Sequence, residues 1–110
     1  MEDGLTIPYA RYIAALKLVK ECQAELQHVF VGVDVLLAPC VAGEAPEGLD
    51  WTGEPRLQEF WTALHVPTIT LPTHRGPKGL PVGIQLVAPL YADETLLSLS
   101  HWVLGKLGHA

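Results

Sequence analysis

Few side chains in this sequence could act as nucleophiles. Ser98 and Ser100 are its only serines, and both fall inside an expected helix, two positions apart. Residues at that spacing point in different directions, and neither serine follows a glycine turn that could build an oxyanion hole. A serine hydrolase centred on this chain is therefore not expected. Cys40, just after a predicted strand, is the better placed nucleophile, with His65 or His74 as conceivable bases, although nothing in the sequence brings them together.

Metal and cofactor chemistry find little support. No two histidines are separated by two, three or four residues, the spacing that sets two ligands on one face; they are His28, His65, His74, His101 and His109. No P-loop or GxGxxG pattern is present, so we expect neither a metal nor a cofactor. The loop around Gly76 carries three possible cations and could receive an anion, but a solvated hairpin loop is the favoured interpretation.

Gln85 is a lone amide in an otherwise apolar segment. Once buried, its side chain must find hydrogen-bond partners. A structural bond to neighbouring backbone is the simpler interpretation. The alternative is that Gln85 orders a loop that lines a pocket.

Composition narrows the class of protein. The 110 residues leave room for one domain with one small core, and 49% of them are hydrophobic against 17% charged, an apolar excess for a domain of this size. A net charge of −5 with scattered basic residues argues against nucleic-acid binding. No segment is predicted to span a membrane or to act as a signal peptide, so a cytoplasmic location is expected, with Cys22 and Cys40 as reduced packing residues.

Periodicity and breakers predict three helices and three strands. A long amphipathic helix is expected over residues 8–30, with Gly32 as its stop. A strand buried on both faces follows over 33–38, then a loop over 40–59 and a short helix over about 55–64. Strands over 68–71 and 82–88 enclose the basic loop, and Asp93 caps a last helix that runs to about Leu107. The predicted class is α/β: a small mixed sheet of about three strands, flanked by two long helices and one short one.

Five motifs occur in a recognisable order: VDVLLAP, an acidic Pro/Gly loop, FWTALHVPTITLP, GLPVGIQLVAP and a helix that opens ADETLL. Together they resemble the C-terminal segment of the amidase signature family, from Tyr9 to about Leu107. Residues 1–110 would then be a single domain resembling that segment of an amidase. The scaffold positions that match the family pattern are Asp34, Pro39, Pro67, Pro72, Gly79, Leu80, Pro81, Gly83 and Gln85. His65 stands where the family usually has Gly, so the tight turn before Val66 and Pro67 is in question.

The resemblance implies an α/β enzyme that hydrolyses carboxamides with a Ser, a second Ser in a cis peptide and a Lys. No matching glycine- and serine-rich stretch occurs here, and Lys17, Lys20, Lys78 and Lys106 match no catalytic position. No catalytic residue is therefore assigned. The resemblance implies that four residues help to wall the acyl pocket: Cys40, Val41, Trp61 and Leu64.

Two functions from different classes follow. The first is a C-terminal fragment or truncated relative of an amidase, without catalytic activity alone, whose partner is the missing amidase core and which meets a small amide substrate only within a whole enzyme. The second is a non-enzymatic interaction module that self-associates, or docks to a partner chain, through unpaired strands. A cysteine hydrolase built on Cys40 is a weaker third.

Overall fold

The computed structural model describes residues 2–108, so His109 lies outside the described residues. The elements, in chain order, are a 3-10 helix Glu2–Thr6, α1 Tyr9–Val29, a 3-10 turn Phe30–Gly32, β1 Leu36–Pro39, α2 Arg56–Ala63, β2 Thr68–Arg75, β3 Pro81–Val87 and α3 Asp93–Leu107. The predicted α/β class, the three strands, the two long helices and the short helix are confirmed.

These strands form one sheet in the order β1-β3-β2, with β3 in the centre. Both pairs are antiparallel, so the expected mixture of strand directions is wrong. The short connection over residues 76–80 explains one pair, because a tight hairpin can join only antiparallel neighbours. β1 runs in the same direction as β2 and occupies the other edge.

The core lies on both faces of β3. On one face, Val87 packs in a cluster with Leu26 and Phe30 at the end of α1 and with Leu64 and Val66 beyond α2. On the other face, a second cluster is centred on β3 and α3; its buried members are Leu71, Leu86, Ala88 and Leu96. β3 is thus the strand that needs two covering layers.

β1 differs from its prediction in both extent and burial. The strand covers residues 36–39 rather than 33–38, and its residues alternate between partly buried and exposed. Leu37 is 66% exposed, so the expected burial of both faces is wrong. The physical reason is that β1 lies at an edge of the sheet and that its face carrying Leu37 is left uncovered.

β2 runs through Pro72 instead of ending before it. Proline lacks an N–H for the ladder, and an edge strand tolerates it because one side of the strand has no neighbour to bond. The register between β2 and β3 shifts between Pro72 and His74, which is a β-bulge at Thr73. The Thr73 hydroxyl donates to Val82 O at 3.3 Å across this irregularity.

The first half of α1 projects away from the core. All residues from Tyr9 to Leu18 are exposed, whereas Cys22, Leu26 and Phe30 pack at the far end. The exposed residues include one apolar stripe at helical spacing, which we call the α1 stripe: Tyr9, Tyr12, Ile13 and Leu16. The Cα radius of gyration is 16.7 Å, against roughly 13 Å for a compact domain of this length. An open arrangement of helix and sheet accounts for that difference.

Candidate functional site

Gln85 joins the end of β1 to α2. It is 2% exposed, and its Nε2 donates to Pro39 O and to Leu57 O, both at 3.0 Å. These two bonds match the simpler interpretation made from the sequence, a structural bond to neighbouring backbone. Because Pro39 immediately precedes Cys40, the amide also fixes the start of the following loop.

Cys40 is a packing residue in this geometry. Its side chain is 4% exposed, its thiol donates to Gly83 O at 3.1 Å, and its own carbonyl accepts from Gln58 Nε2 at 3.0 Å. The hydrogen bond that the structure gives His74 Nδ1 goes to the Thr73 hydroxyl, not to a thiol. A buried thiol bonded to a carbonyl has neither the access nor the partner that activates a nucleophile.

The loop that follows Cys40 walls a cavity of about 690 Å³, which we call the loop cavity. Its wall is formed mainly by two stretches of the loop, 41–46 and 51–55, closed by Gln58 of α2 and Pro81 of β3. Val41 lies in this wall and also borders a smaller cavity beside β1. Trp51 supplies an aromatic surface, and the polar side chains in the otherwise apolar wall are those of Glu44, Thr52, Glu54 and Gln58.

The four residues expected to wall a pocket therefore separate into two groups. Val41 lies in the wall of the loop cavity, and Cys40, the residue before it, is buried and does not line the cavity. Leu64 is 2% exposed in a core cluster that includes neither Cys40 nor Val41, and Trp61 packs against that cluster. The Leu64 carbonyl accepts from Gln23 Nε2 at 2.9 Å, which ties α2 to α1. The role of these four residues in walling an acyl pocket stays a prediction.

The remaining chemistry-bearing side chains do not converge. Ser100 is buried and its hydroxyl donates to Leu97 O at 2.8 Å within α3, while Ser98 is exposed on the same helix. Within residues 2–108, no group of His, Cys, Asp and Glu is placed to hold a metal ion. No helix in the described range combines the length and hydropathy needed to cross a bilayer.

The hairpin loop over residues 76–80 does receive an anion, the side chain of Glu44. One carboxylate oxygen accepts from the N–H groups of Lys78 at 2.9 Å and Leu80 at 3.0 Å, and the other accepts from Lys78 at 3.1 Å. A Cβ added at Gly76 would overlap this side chain, so a larger residue there would displace the Glu44 carboxylate. The sequence favours a solvated hairpin loop here, with an anion only as the alternative, and it gives no signal for Glu44, which lies more than 30 residues away.

Two scaffold glycines occupy positions that explain their type. Gly83 needs to lack a side chain, because a Cβ there would lie 2.6 Å from Leu71 O. Gly79 has φ +81°, in the region that favours glycine. Pro67 accepts a bond from Ala88 N–H at 3.1 Å, Pro81 opens β3, and Asp34 is exposed before β1.

The turn that His65 put in question is preserved. His65 adopts φ 59°, and its N–H donates to Thr62 O at 3.1 Å directly after α2. A left-handed residue at this position ends a helix in the same way that a glycine does. Histidine is one of the residue types that tolerates this region better than most.

This arrangement is that of a segment of an α/β amidase, as comparisons with solved structures indicate. A structure described as a crystal structure of an amidase superposes with a TM-score of 0.84 at 30% identity, over 96% of this chain and 27% of that one. A second solved chain, from a vestigial protein complex reported to reveal the evolutionary origins of an s-triazine catabolic enzyme, gives a TM-score of 0.81 at 26% identity, over 98% and 26%.

Sequence comparisons agree. The model of the amidase family matches residues 6–97, and the chain therefore belongs to the amidase family. A glutamyl-tRNA(Gln) amidotransferase subunit from Neisseria meningitidis is 33% identical over 100 residues, covering 86% of this chain and 21% of the relative. The corresponding mitochondrial protein from Ornithorhynchus anatinus is 31% identical over 101 residues, covering 83% and 19%. The chain thus spans about a fifth of the length of these relatives.

Proposed function

We propose that residues 1–110 form one structural unit that serves as the C-terminal segment of an amidase-family hydrolase of carboxamides, without a catalytic nucleophile of its own. One observation carries the proposal: the fold superposes on an amidase along 96% of this chain, but that alignment uses only 27% of the amidase. The side chains also support the lack of a nucleophile. Among the described residues, both serines lie within α3, Cys40 is buried and Cys22 is partly buried.

The proposed contribution of this segment is positional. Gln85 and Cys40 hold the end of β1 against β3, and the loop that leaves this point walls the loop cavity. In a whole enzyme, Val41 and its neighbours would face an acyl group at that wall. Leu64 and Trp61 would not contact the acyl group but would hold α2 against α1.

A partner surface is part of the proposal. The α1 stripe and the outer edges of β1 and β2 expose apolar side chains and backbone groups that a larger sheet and core would cover. The remainder of an amidase is the occupant that we propose. Two comparisons support a chain that works in an assembly, since one relative is named as a subunit of an amidotransferase and the second solved chain comes from a vestigial complex.

A second candidate function, an interaction module without enzymatic activity, is favoured by the same α1 stripe. Its four side chains are between 43% and 77% exposed, although they are large and apolar. Contiguous apolar surface of this kind marks protein interaction sites. In this case the stripe would hold two copies together, or dock to a different protein.

Active-site probes test the proposed lack of a nucleophile. The purified 110-residue chain is incubated with a fluorophosphonate for serines and with iodoacetamide for thiols, and the sites of labelling are mapped by mass spectrometry. We expect no reaction of Ser98 or Ser100, and reaction of Cys40 no faster than that of Cys22. Rapid, saturable labelling of any of these residues would contradict the proposal. If unfolding the chain abolished that labelling, the labelled residue would be a nucleophile activated by the fold.

A further inference from the structure

The contact between Glu44 and the β2–β3 hairpin links two parts of the chain that no sheet pairing connects. Glu44 belongs to the loop of residues 40–55, which walls the loop cavity, and it is itself in that wall. The N–H groups that it accepts from, those of Lys78 and Leu80, belong to the turn between β2 and β3. We propose that Glu44 is a positioning residue, an internal anion latch that holds the cavity loop in place against this hairpin.

The hairpin is built to receive a carboxylate. Its own closure uses other groups, because Gly76 N–H donates to Leu80 O and Gly79 N–H donates to Gly76 O, both at 2.9 Å. Arg75 Nη1 further fixes the turn by donating to Gly79 O at 2.8 Å. The N–H groups of Lys78 and Leu80 are left pointing outward together, and successive backbone N–H groups in a tight turn form an anion-binding concavity.

Three features make Glu44 the specific occupant. Both of its carboxylate oxygens are used, and bonds from N–H to an ionised acceptor are stronger than neutral ones. Gly76 supplies the space, since any side chain at that position would overlap the Glu44 side chain. Glu47, three residues further along the same loop, is exposed and provides a matched acidic control.

The latch matters because, within residues 2–108, Glu44 supplies the hydrogen bonds that tie the middle of this loop to the hairpin. Cys40 and Gln58 hold its two ends, through bonds to Gly83 O and to Cys40 O. Between them, Leu49 is fully exposed and Trp51 is 61% exposed. Releasing Glu44 would therefore free the wall of the loop cavity while β1, α2 and the core clusters stay in place. This inference does not depend on the proposed function, because it concerns the loop in this chain alone.

Amide hydrogen exchange, measured by NMR on the whole chain, tests the latch directly. In Glu44→Ala, exchange at Lys78 and Leu80 should become roughly tenfold faster or more, the scale set by losing a charged acceptor. Exchange at Gly76 and Gly79 should change by less than about twofold, because their acceptors lie within the hairpin. Glu47→Ala should change none of the four. Equal acceleration at all four sites in Glu44→Ala, or no acceleration at Lys78 and Leu80, would overturn the proposal.

A second measurement follows the cavity loop itself. Chymotrypsin should cut after Leu49 or Trp51 roughly tenfold faster in Glu44→Ala than in the parent chain, because cleavage of a loop tracks its open population. Gly76→Ala, whose Cβ would overlap the same carboxylate, should give a similar increase, and Glu47→Ala should give none. Unchanged cleavage in both Glu44→Ala and Gly76→Ala would show that the loop is held by other contacts and would overturn the latch.

Discussion

Replacing Gln85 by Met removes the amide that joins β1, β3 and α2 while leaving a side chain of similar volume. Gln85 is 2% exposed and donates to two backbone carbonyls. Each net hydrogen bond contributes about 0.5–1.5 kcal/mol, and a buried acceptor left without a partner costs about 1–3 kcal/mol. We therefore expect Gln85→Met to lower the free energy of unfolding by roughly 2–4 kcal/mol, a large share of the roughly 5–15 kcal/mol typical of a domain.

Gln58→Met is the matched control, since it removes one amide-to-carbonyl bond, from an exposed residue of α2 to Cys40 O. Its expected cost is only about 0.5–1 kcal/mol. Urea unfolding followed by tryptophan fluorescence and circular dichroism measures both variants, with the slope m checked against the parent chain. A Gln85→Met cost below about 0.5 kcal/mol, or one equal to that of Gln58→Met, would refute the claim that the Gln85 amide joins β1, β3 and α2. If the Gln85→Met chain is already unfolded without urea, the substitution costs more than the entire free energy of unfolding of the parent chain.

Three further predictions concern the scaffold and the exposed helix. Gly83→Ala should destabilise the chain by roughly 1–3 kcal/mol in the same urea assay, because its Cβ would approach Leu71 O to 2.6 Å; a neutral result would mean that β2 shifts freely. His65→Gly should raise the free energy of unfolding by about 0.5–1 kcal/mol whereas His65→Ala should not, because φ 59° favours glycine; equal effects would argue against strain at this turn. Tyr12→Glu combined with Leu16→Glu should convert concentration-dependent association of the chain into a monomer in light scattering. Stability should not fall, because both residues are exposed. A parent chain that is monomeric at high concentration would count against association through the α1 stripe.

Sequence predicts the elements well where local signals dominate. The range 55–64 predicted for α2 compares with the observed Arg56–Ala63, and α3 begins at Asp93 and ends at Leu107 as expected. Apolar spacing, proline stops and acidic first turns act over a few residues, so they can be read without knowing the fold. Asp93 itself is the first helical residue rather than a side-chain cap, a difference of one position.

Predictions that depend on distant parts of the chain are less successful. The apolar run 33–38 suggests a strand buried on both faces, but the strand so covered is β3, and β1 lies at an edge. Pro72 suggests a strand end, but only the sheet order shows that an edge tolerates it. α1 has a complete apolar stripe in sequence, yet only its last turns reach the core. Hydrophobic periodicity predicts which face of a helix is apolar, not what covers it.

In the candidate site, too, local requirements can be predicted from the sequence and distant partners cannot. The need of Gln85 for backbone partners follows from its residue type and its apolar neighbours, and the structure supplies both partners. The four expected pocket residues come from family resemblance, and the fold places Val41 in the wall of the loop cavity and Leu64 in a core cluster. Glu44 cannot be found from sequence, since an acidic residue in a polar loop carries no local mark of a partner 34 or 36 positions away.

The most direct test of the central claim is whether the 110 residues hydrolyse amides. The purified chain, confirmed as folded by circular dichroism, is incubated with glutamine, asparagine, propionamide and benzamide, and the released ammonia is measured by a coupled assay. We predict ammonia release indistinguishable from buffer for the parent chain and for Cys40→Ala alike. Turnover by the parent chain would contradict the account: its loss in Cys40→Ala would identify a cysteine hydrolase, and its persistence would reveal a different nucleophile in this sequence.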